Sequence, residues 1–399
     1  MDKKEKMVTV GIPAYKAQKH IGDCLSSINI QSIRENVSVV IASDWPEDDY
    51  GDIQKQYPEL DITVLPCEKN TGAGLARQRA LDFCKTPWIT FMDADDVLIS
   101  PFALESLVNN ITPSTVEVQG VFFQEIRDAK CINVIQRQEM LRNNQMIPPR
   151  MVPRNDVGHP WVFGRLYNAK FLKGNDIRFS SLRAMEDGEF NWKIRLLIEG
   201  SNATINVTQE PIYLWRAGSE HSITRIGTEQ NDGEPLYNWD LCMVGSTAAA
   251  INAIKFCQEK NPFNGNVLRF TTEQMVNHYF TYVRCVERKK MFAEQCLFNA
   301  KRFYHSVFKN IEGQISKNVL KQIYTAQYAH SGDDMVNVIP SITFWDFLDK
   351  MKADTYGGKQ EFDEIRSKLP SWVVDLDKES GVLGEEGYVY TTGENDTNH

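Results

Sequence analysis

Three carboxylates stand within four positions at the end of a short apolar segment, "WITFMDADDVL", residues 88–98. The apolar part has the composition of a buried strand, so Asp93, Asp95 and Asp96 are expected at the rim of a sheet. Asp93 and Asp95 share one side of an extended chain, so both can face one ligand. Carboxylate oxygens suit Mg²⁺ or Mn²⁺, ions that often also bind a substrate diphosphate. For Asp96 we expect a different task, which is to steer the helix that follows.

Strand-like and helix-like segments alternate over the first hundred residues. The predicted strands are "MVTVGIPAY", "VSVVIAS", "DITVLP" and "PWITFM", and the predicted helices are "KHIGDCLSSINIQS" and "GLARQRALDFCK". Near-continuous apolar strands alternating with helices indicate an α/β fold with a mainly parallel sheet covered on both faces. Ligands bind such sheets beyond the carboxyl ends of the strands. The loops "PAYKA", "SDWPEDD", "CEKNTGAG" and "DADD" are therefore the candidate binding segments.

The rest of the chain changes character twice. Residues 113–215 mix the predicted strands "VEVQGVFFQEI" and "PIYLWR" with the helix "FNWKIRLLIEG" and the loop "MLRNNQMIPPRMVPRND". From about residue 236 the apolar spacing is helical, with one long helical pattern over 271–310. We therefore expect a catalytic domain over 1–230, divided at about 105, a helical C-terminal module over 231–370, and a loose acidic tail over 371–399.

The order and spacing of the motifs resemble those of a known family. "VTVGIPAYKAQKHIGDCLSSINIQS" and "NTGAGLARQRALDFCKTPWITFMDADD" resemble the nucleotide-binding half of the family 2 glycosyltransferases. The match covers roughly residues 7–105, and a weaker similarity continues to about 225. It implies the GT-A fold, a Rossmann-like, mainly parallel sheet flanked by helices. It also implies inverting transfer of a sugar from a nucleotide-sugar donor to a hydroxyl acceptor.

The resemblance implies a nucleotide site after the first two strands. Pro13, Ala14 and Tyr15 would line the nucleotide. The family usually has an Asp-Asp-Gly-Ser stretch after its second strand, and the first of those Asp residues commonly reads uracil. Ser43 stands at that position here, and Asp44 follows it. Either Asp44 takes the role through a shifted loop or the base contact differs, so a UDP-sugar is only the favoured donor.

The same resemblance implies roles around the diphosphate. Arg77 would lie near the base or the phosphates, where a cation one helical turn after "TGAG" is well placed for an anion. Asp93 would contact the ribose or the metal. Asp95 would bind the Mn²⁺ or Mg²⁺ that bridges the diphosphate.

On the acceptor side, "MEDGEF" resembles the family's E-D pair at the start of a helix. Carboxylates in the first turn of a helix are stabilised by its dipole, so simple capping is one interpretation of Glu186 and Asp187. In the catalytic interpretation, Asp187 is the general base that accepts the proton of the acceptor hydroxyl. Glu186 would then orient the acceptor.

Two further segments complete the implied site. "LWRAGSEHSITR" resembles the family's Y-R…S-x-S/T stretch, so Arg216 and Ser222 would contact the diphosphate and His221 would ligate the metal or contact the diphosphate. "GHPWVFGRLY" falls where the family closes over the donor sugar, which implies that His159 and Trp161 lie there. Core packing is an equally good interpretation of Trp161.

Composition restricts the setting and the partners. The net charge is −9, and the eight cysteines include no CxxC, which favours free thiols in a reducing compartment. With neither a secretory signal nor an apolar run of about 20 residues, we expect a cytoplasmic protein without a transmembrane segment. Residues 251–330 carry 12 Lys and Arg against five Glu. This stretch is either a solvated helix face or a surface for a polyanion.

Several functions fit these patterns. The acceptor could be a polysaccharide, a teichoic acid or a hydroxylated base in DNA, as in phage-type DNA glycosyltransferases, and an oligomer is compatible with the sequence. A non-catalytic nucleotide-sugar or polymer-binding protein would be expected to lack some of Asp93, Asp95, Glu186 and Asp187, and all four are present. A nucleotidyltransferase would need a Gly-rich loop with a cation after the first strand, and "GIPAYKAQ" has only Lys16.

Overall fold

The computed structural model describes residues 5–126, 130–132, 161–216, 242–261, 265–288, 293–330 and 342–368. The chain divides into two compact units. The first contains Met1–Ser181 and Glu186–Arg225, and the second contains Leu182–Met185 and Ile226–His399.

The described residues of the first unit form one sheet flanked by helices. Its strands are β1 (Val8–Ala14), β2 (Val37–Ser43), β3 (Asp61–Leu65), β4 (Trp88–Phe91), β5 (Val97–Leu98), β6 (Thr115–Ile126), β7 (Lys130–Ile132), β8 (Arg165–Asn168) and β9 (Thr204–Arg216). Its helices are α1 (Ile21–Asn29), α2 (Ile53–Gln56), α3 (Ala73–Phe83), α4 (Ala103–Val108), α5 (Ala169–Gly174) and α6 (Glu186–Ile198). The predicted α/β class is therefore confirmed.

The strand order creates a reversal beside β1. The order is β3-β2-β1-β4-β8-β6-β9-β5, with β7 paired to β6. The first four strands in this order, β3, β2, β1 and β4, are parallel to one another, as predicted. Beyond β4 the sheet is mixed, because β8 runs antiparallel to both β4 and β6. The chain moves from β1 to β2 and β3 and then returns to the other side of β1 as β4, which creates a crevice at the carboxyl ends of β1 and β4.

Apolar burial explains why these strands form. All but one of the side chains of β1 are buried, as expected for a parallel strand covered on both faces. The predicted apolar face of α1 packs into the same core through Ile21, Cys24, Leu25 and Ile28. The predicted loop at 140–156 lies outside the described residues.

The second unit is helical in its described part. Its helices are α7 (Cys242–Lys260), α8 (Gly265–Arg288), α9 (Ala293–Ser306), α10 (Lys317–His330), α11 (Phe344–Ala353) and α12 (Gly358–Ser367). The predicted C-terminal helices are thus present, and the helical pattern over 271–310 corresponds mainly to α8 and α9. The predicted acidic tail lies outside the described residues. No helix in the described ranges combines the length and the apolar content needed to cross a bilayer.

His278 of α8 is buried and makes the second unit sensitive to acid. Its ring lies 5.0 Å from that of Phe303, centroid to centroid. Burial and, to a smaller extent, the charge of the nearby Arg302 lower the pKa of His278 to about 3. Because the folded pKa lies below the unfolded one, stability is full above about pH 6.5 and is lost as pH falls towards 3.

We expect His278→Gln to flatten the dependence of stability on pH. In the unaltered protein, His278 should lower the free energy of unfolding by up to about 1.4 kcal/mol for each pH unit as the pH falls from about 6 to 4. Urea unfolding at pH 7, 5.5 and 4.5 measures the slope. His20→Gln, which changes an exposed histidine, is the control and should keep the slope. Equal slopes for the unaltered protein and His278→Gln would contradict the prediction.

Candidate active site

A buried arginine joins the two acidic motifs that lie far apart in the sequence. Arg77 of α3 is 4% exposed. One terminal nitrogen donates to Glu186 Oε1 at 2.9 Å and to Asp187 Oδ1 at 2.8 Å, and the other donates to Asp93 Oδ1 at 2.7 Å. The structure therefore brings Asp93, Glu186 and Asp187 together around one cation at the carboxyl end of β4.

Close packing of α3 against the loop before α6 fixes this meeting. A Cβ atom at Gly74 would lie 2.6 Å from the carbonyl oxygen of Ser180 and 3.0 Å from Cγ of Glu186, so only glycine fits. The backbone N–H of Phe179 also donates to Oε1 of Gln78 on α3, at 2.9 Å. The first turn of α3 and the loop over 179–181 are thus held against each other.

Stacked aromatic rings hold α6 against the sheet. Phe190 of α6 stacks on Phe179 with centroids 4.0 Å apart, and Phe179 meets Phe91 of β4 edge to face at 5.1 Å. Glu186 and Asp187 lie in the first turn of α6, where the helix dipole favours negative charge. The capping interpretation and the catalytic interpretation of this pair are therefore compatible.

The environment of Asp187 disfavours its charged form. Burial raises the pKa of the Asp187 carboxyl to about 8, because desolvation and the charges of Glu186 and Asp93 outweigh the lowering by Arg77. Burial also raises the pKa of Glu186. The second oxygen of Asp187 accepts a hydrogen bond from the backbone N–H of Val162 at 3.3 Å. A carboxyl held in place with a pKa near neutrality matches the requirements of a general base.

The prediction that Asp96 steers the following helix is wrong. Two residues of β5 follow it, and α4 begins only at Ala103. Asp96 is 1% exposed; its carboxylate accepts hydrogen bonds from the Tyr213 hydroxyl at 2.5 Å and from the backbone N–H of Arg216 at 2.7 Å. The Tyr213 oxygen in turn accepts from the backbone N–H of Asp93 at 3.0 Å. Asp96 therefore anchors the acidic loop to β9, a role that sequence spacing alone does not reveal.

Asp44 holds the loop that leads into α3. It is 2% exposed, and its carboxylate accepts hydrogen bonds from the backbone N–H of Thr71, the Thr71 hydroxyl and the backbone N–H of Gly72, each at 2.8 Å. Ser43 donates its hydroxyl to the carbonyl of Trp45 at 3.0 Å. Ser43 and Asp44, which depart from the family pattern, thus hold the loop after β2 and the loop before α3 through their side chains.

The other residues singled out from the sequence have these positions. Pro13 and Ala14 end β1, and Tyr15 follows them with 39% of its surface exposed. Trp161 is half-buried among the rings of Phe122, Phe163 and Trp215. Arg216 ends β9 and forms an ion pair with Asp23 at 2.7 Å. His159, His221 and Ser222 lie outside the described residues.

Asp95 and Asp93 are the described residues best suited to hold a divalent ion. Asp95 is half-buried on the loop after β4, and the Asp93 side chain is 33% exposed. Within the described ranges, no group of three His, Cys, Asp or Glu residues is arranged to hold an ion by itself. Mg²⁺ commonly uses one or two carboxylates together with substrate phosphates and water, so the two aspartates fit an ion that arrives with a diphosphate.

Comparison with known proteins identifies the family of the first part of the chain. Residues 9–168 match the model of the family "Glycosyl transferase family 2". The chain is 25% identical over 235 residues to "Glycosyltransferase GlyA" of Streptococcus pneumoniae, which is 56% of this chain and 32% of the relative. It is 23% identical over 228 residues to the "Poly(ribitol-phosphate) beta-glucosyltransferase" of Bacillus spizizenii, which is 54% of this chain and 33% of the relative. The chain therefore spans about a third of the length of each.

A solved structure shares the fold. The crystal structure of TarS residues 1–349 from S. aureus in complex with UDP-GlcNAc superposes with a TM-score of 0.58 and covers 88% of this chain and 93% of that one. The sequences are 17% identical, so this likeness concerns the fold. Together with the family match over residues 9–168, it confirms the GT-A fold expected from the motifs. Residues 9–168 thus form a family 2 glycosyltransferase domain.

Proposed function

We propose that this protein transfers a sugar from a nucleotide-sugar donor, with a UDP-sugar favoured, to a hydroxyl group of an acceptor, with inversion at the anomeric carbon. One observation carries the proposal. Arg77 joins Asp93, on the donor side of the crevice, to Asp187, whose pKa of about 8 suits a general base. A protein that only binds nucleotide-sugars has no need to keep a base of matched pKa next to the donor motif.

The donor would bind across the carboxyl ends of β1 and β4. In this arrangement Pro13, Ala14 and Tyr15 line the nucleoside and Asp93 accepts a hydrogen bond from the ribose. The UDP-GlcNAc complex of TarS supports a uridine donor, because the two chains share a fold. Trp161 would then contact the donor sugar, and Arg216 and Ser222 the diphosphate.

A divalent ion would be held by Asp95 and Asp93, with His221 as a further candidate ligand. We propose Mn²⁺ or Mg²⁺, since both prefer carboxylate oxygens. When bound, the ion would neutralise charge on the leaving diphosphate. The charges of Glu186 and Asp93 help to raise the pKa of Asp187, and a cation at this edge of the sheet would offset part of that repulsion.

The protein's own groups would carry the proton. Asp187 accepts the proton of the acceptor hydroxyl as the oxygen attacks the anomeric carbon from the face opposite the leaving group. Arg77 and the N–H of Val162 fix both oxygens of Asp187 in position, and Glu186 orients the acceptor. Because both substrates are held in line, much of the rate would come from their orientation.

For the acceptor we propose a polyanionic polymer that carries free hydroxyl groups. The relative named as a poly(ribitol-phosphate) beta-glucosyltransferase supports this class. The excess of Lys and Arg over residues 251–330 would attract such a polymer. Modified DNA is an alternative acceptor, because it is also a polyanion that the basic residues of 251–330 would attract.

A donor screen tests the proposal. We expect a UDP-sugar with Mn²⁺ to raise the melting temperature by a few degrees at about 100 times its dissociation constant, and to be slowly hydrolysed. Asp95→Asn should lose the part of the shift that depends on Mn²⁺. Asp61→Asn, which changes an exposed carboxylate at the opposite end of the parallel strands, is the matched control. If no nucleotide-sugar stabilises the protein, the transferase proposal fails.

A further inference from the structure

An aromatic pair and a lysine form a compact cluster at the ends of β1 and β2. The rings of Tyr15 and Trp45 meet edge to face with centroids 5.4 Å apart. Nζ of Lys16 lies 4.4 Å from the centroid of Trp45 and 5.2 Å from that of Tyr15. The lysine ammonium thus occupies a cation–π position over Trp45.

The backbone conformation of Lys16 supports a functional role. Its φ of 49° lies in the left-handed region, which is uncommon for a residue that is neither Gly, Asn nor Asp. Such a conformation carries a local cost and tends to occur at binding sites. At this position it accompanies a lysine whose ammonium lies over the Trp45 ring.

The cluster stands on a fixed framework. The backbone N–H of Asp44 donates to the carbonyl of Ala14 at 2.7 Å and so extends the pairing of β1 with β2 past the strand ends. Asp48 accepts from the backbone N–H of Ala17 at 3.3 Å and from the Tyr50 hydroxyl at 2.9 Å, which ties the loop after β2 to the loop after β1. These bonds hold the two loops that carry Tyr15, Lys16 and Trp45.

Asp44 is poorly placed to read a base. A carboxylate has about four lone-pair sites, and three hydrogen bonds from Thr71 and Gly72 already use Asp44. Two of those donors are backbone N–H groups. That of Gly72 also donates to Oδ1 of Asn70 at 3.1 Å, whereas that of Thr71 would lose this acceptor if the carboxylate turned away. Ser43 stands where the family pattern has its base-reading aspartate, and Asp44 is the nearest carboxylate in sequence. Because Asp44 is already engaged, another residue must read the base.

On the basis of the proposed function, in which Tyr15 lines the nucleoside, we propose that Lys16 reads the base of the donor by donating to a carbonyl oxygen. Trp45 is the positioning residue that holds the lysine and supports Tyr15 edge-on. Asp44 clamps the loop before α3. Base–aromatic stacking tolerates any base, so the polar selection would come from Lys16. A lysine donor in place of a carboxylate acceptor favours bases that carry carbonyl oxygens, such as uracil.

Calorimetric titration with two probes tests the assignment: UDP and inorganic pyrophosphate, each with Mn²⁺. Pyrophosphate lacks a base, so the ratio of the two affinities measures what the nucleoside contributes. Lys16→Met should weaken UDP binding about tenfold, the typical effect of losing a hydrogen bond to a charged group, and leave pyrophosphate binding unchanged. Trp45→Ala should act in the same way, and Trp45→Phe should restore most of the affinity, because phenylalanine keeps a ring for the cation.

Two control variants match the substitutions. Lys19→Met removes an exposed lysine three positions away, and Trp345→Ala removes an exposed tryptophan of the second unit. Both should bind UDP as the unaltered protein does. Asp44→Asn should lower the melting temperature but keep the ratio of UDP to pyrophosphate affinity.

The outcomes separate this inference from the proposed function. If the unaltered protein binds no nucleoside diphosphate or nucleotide-sugar, the proposed function fails. If it binds UDP and Lys16→Met has no effect, or weakens pyrophosphate binding equally, the assignment of Lys16 to the base is overturned. A loss of UDP affinity in Asp44→Asn with pyrophosphate binding unchanged would return base reading to Asp44.

Discussion

Asp187→Asn is expected to lower kcat by about 10²- to 10⁴-fold while leaving the dissociation constant of UDP within about threefold of the unaltered value. Asparagine has the same shape as aspartate, and its one amide oxygen can keep the hydrogen bond from Arg77. The 3.3 Å bond from the N–H of Val162, which goes to the other oxygen of Asp187, is lost, and the fold of the site should otherwise persist. The amide cannot accept the proton of the acceptor hydroxyl. Binding and chemistry should therefore separate in this variant.

The pH dependence of kcat gives a second readout. The pKa of Asp187 is raised to about 8, and the base acts only when it is ionised. In the unaltered enzyme kcat should rise about tenfold per pH unit below pH 8 and then level off. Asp187→Asn should lose this rise, whereas the control Asp61→Asn should keep it. Residual transfer within tenfold of the unaltered rate, or a loss of UDP binding, would remove Asp187 from the role of base.

Arg77→Gln is expected to destabilise the first unit by about 3–5 kcal/mol at pH 9, because three carboxylates would lose the cation they share. The cost should grow with pH. A carboxyl whose folded pKa is raised contributes stability that is full below its unfolded pKa and is lost as pH rises through the folded one. Without Arg77 the pKa of Asp187 would rise further, so we expect a smaller deficit at pH 5 than at pH 9.

Urea unfolding at pH 5, 7 and 9 measures the deficit. The stability of Arg77→Lys should lie between that of Arg77→Gln and that of the unaltered protein, because an ammonium cannot reproduce the forked contacts of a guanidinium. Arg178→Gln is the matched control: it breaks an ion pair with Asp82 in which both side chains are about half exposed, and such pairs contribute about 1 kcal/mol or less. A deficit for Arg77→Gln that is equal at all three pH values, or no larger than that of Arg178→Gln, would contradict this account.

Periodicity and motif order predicted the first half of the chain well. The strands β1 to β4 and the helices α1 and α3 were predicted from the spacing of apolar residues. This spacing is local, because it reflects the repeat of a single strand or helix. The parallel pairing of β6 with β9 could not be foreseen in this way. These strands lie far apart along the chain, and their register depends on close packing that no local pattern records.

In the site, too, the residue types could be predicted from the sequence, whereas their contacts could not. The residue types in "DADD" and "MEDGEF" indicated acid–base and metal chemistry, but the partner of Arg77 could not be read from them. The family resemblance assigned this residue to the nucleotide, whereas the structure gives it three carboxylates. Asp96 was misjudged for a related reason. Burial decides whether a carboxylate meets solvent or a tyrosine hydroxyl, and burial is a property of the assembled sheet.

The contact at Gly74 has a consequence for building chimaeras from this family. The turn that starts α3 and the loop that leads into α6 touch through backbone atoms, with no space for even a methyl group. A graft that exchanges the acceptor-side loop with that of a relative would have to carry the matching α3 turn with it. The halves of this catalytic unit are therefore not interchangeable parts, although the sequence motifs that mark them lie about a hundred residues apart.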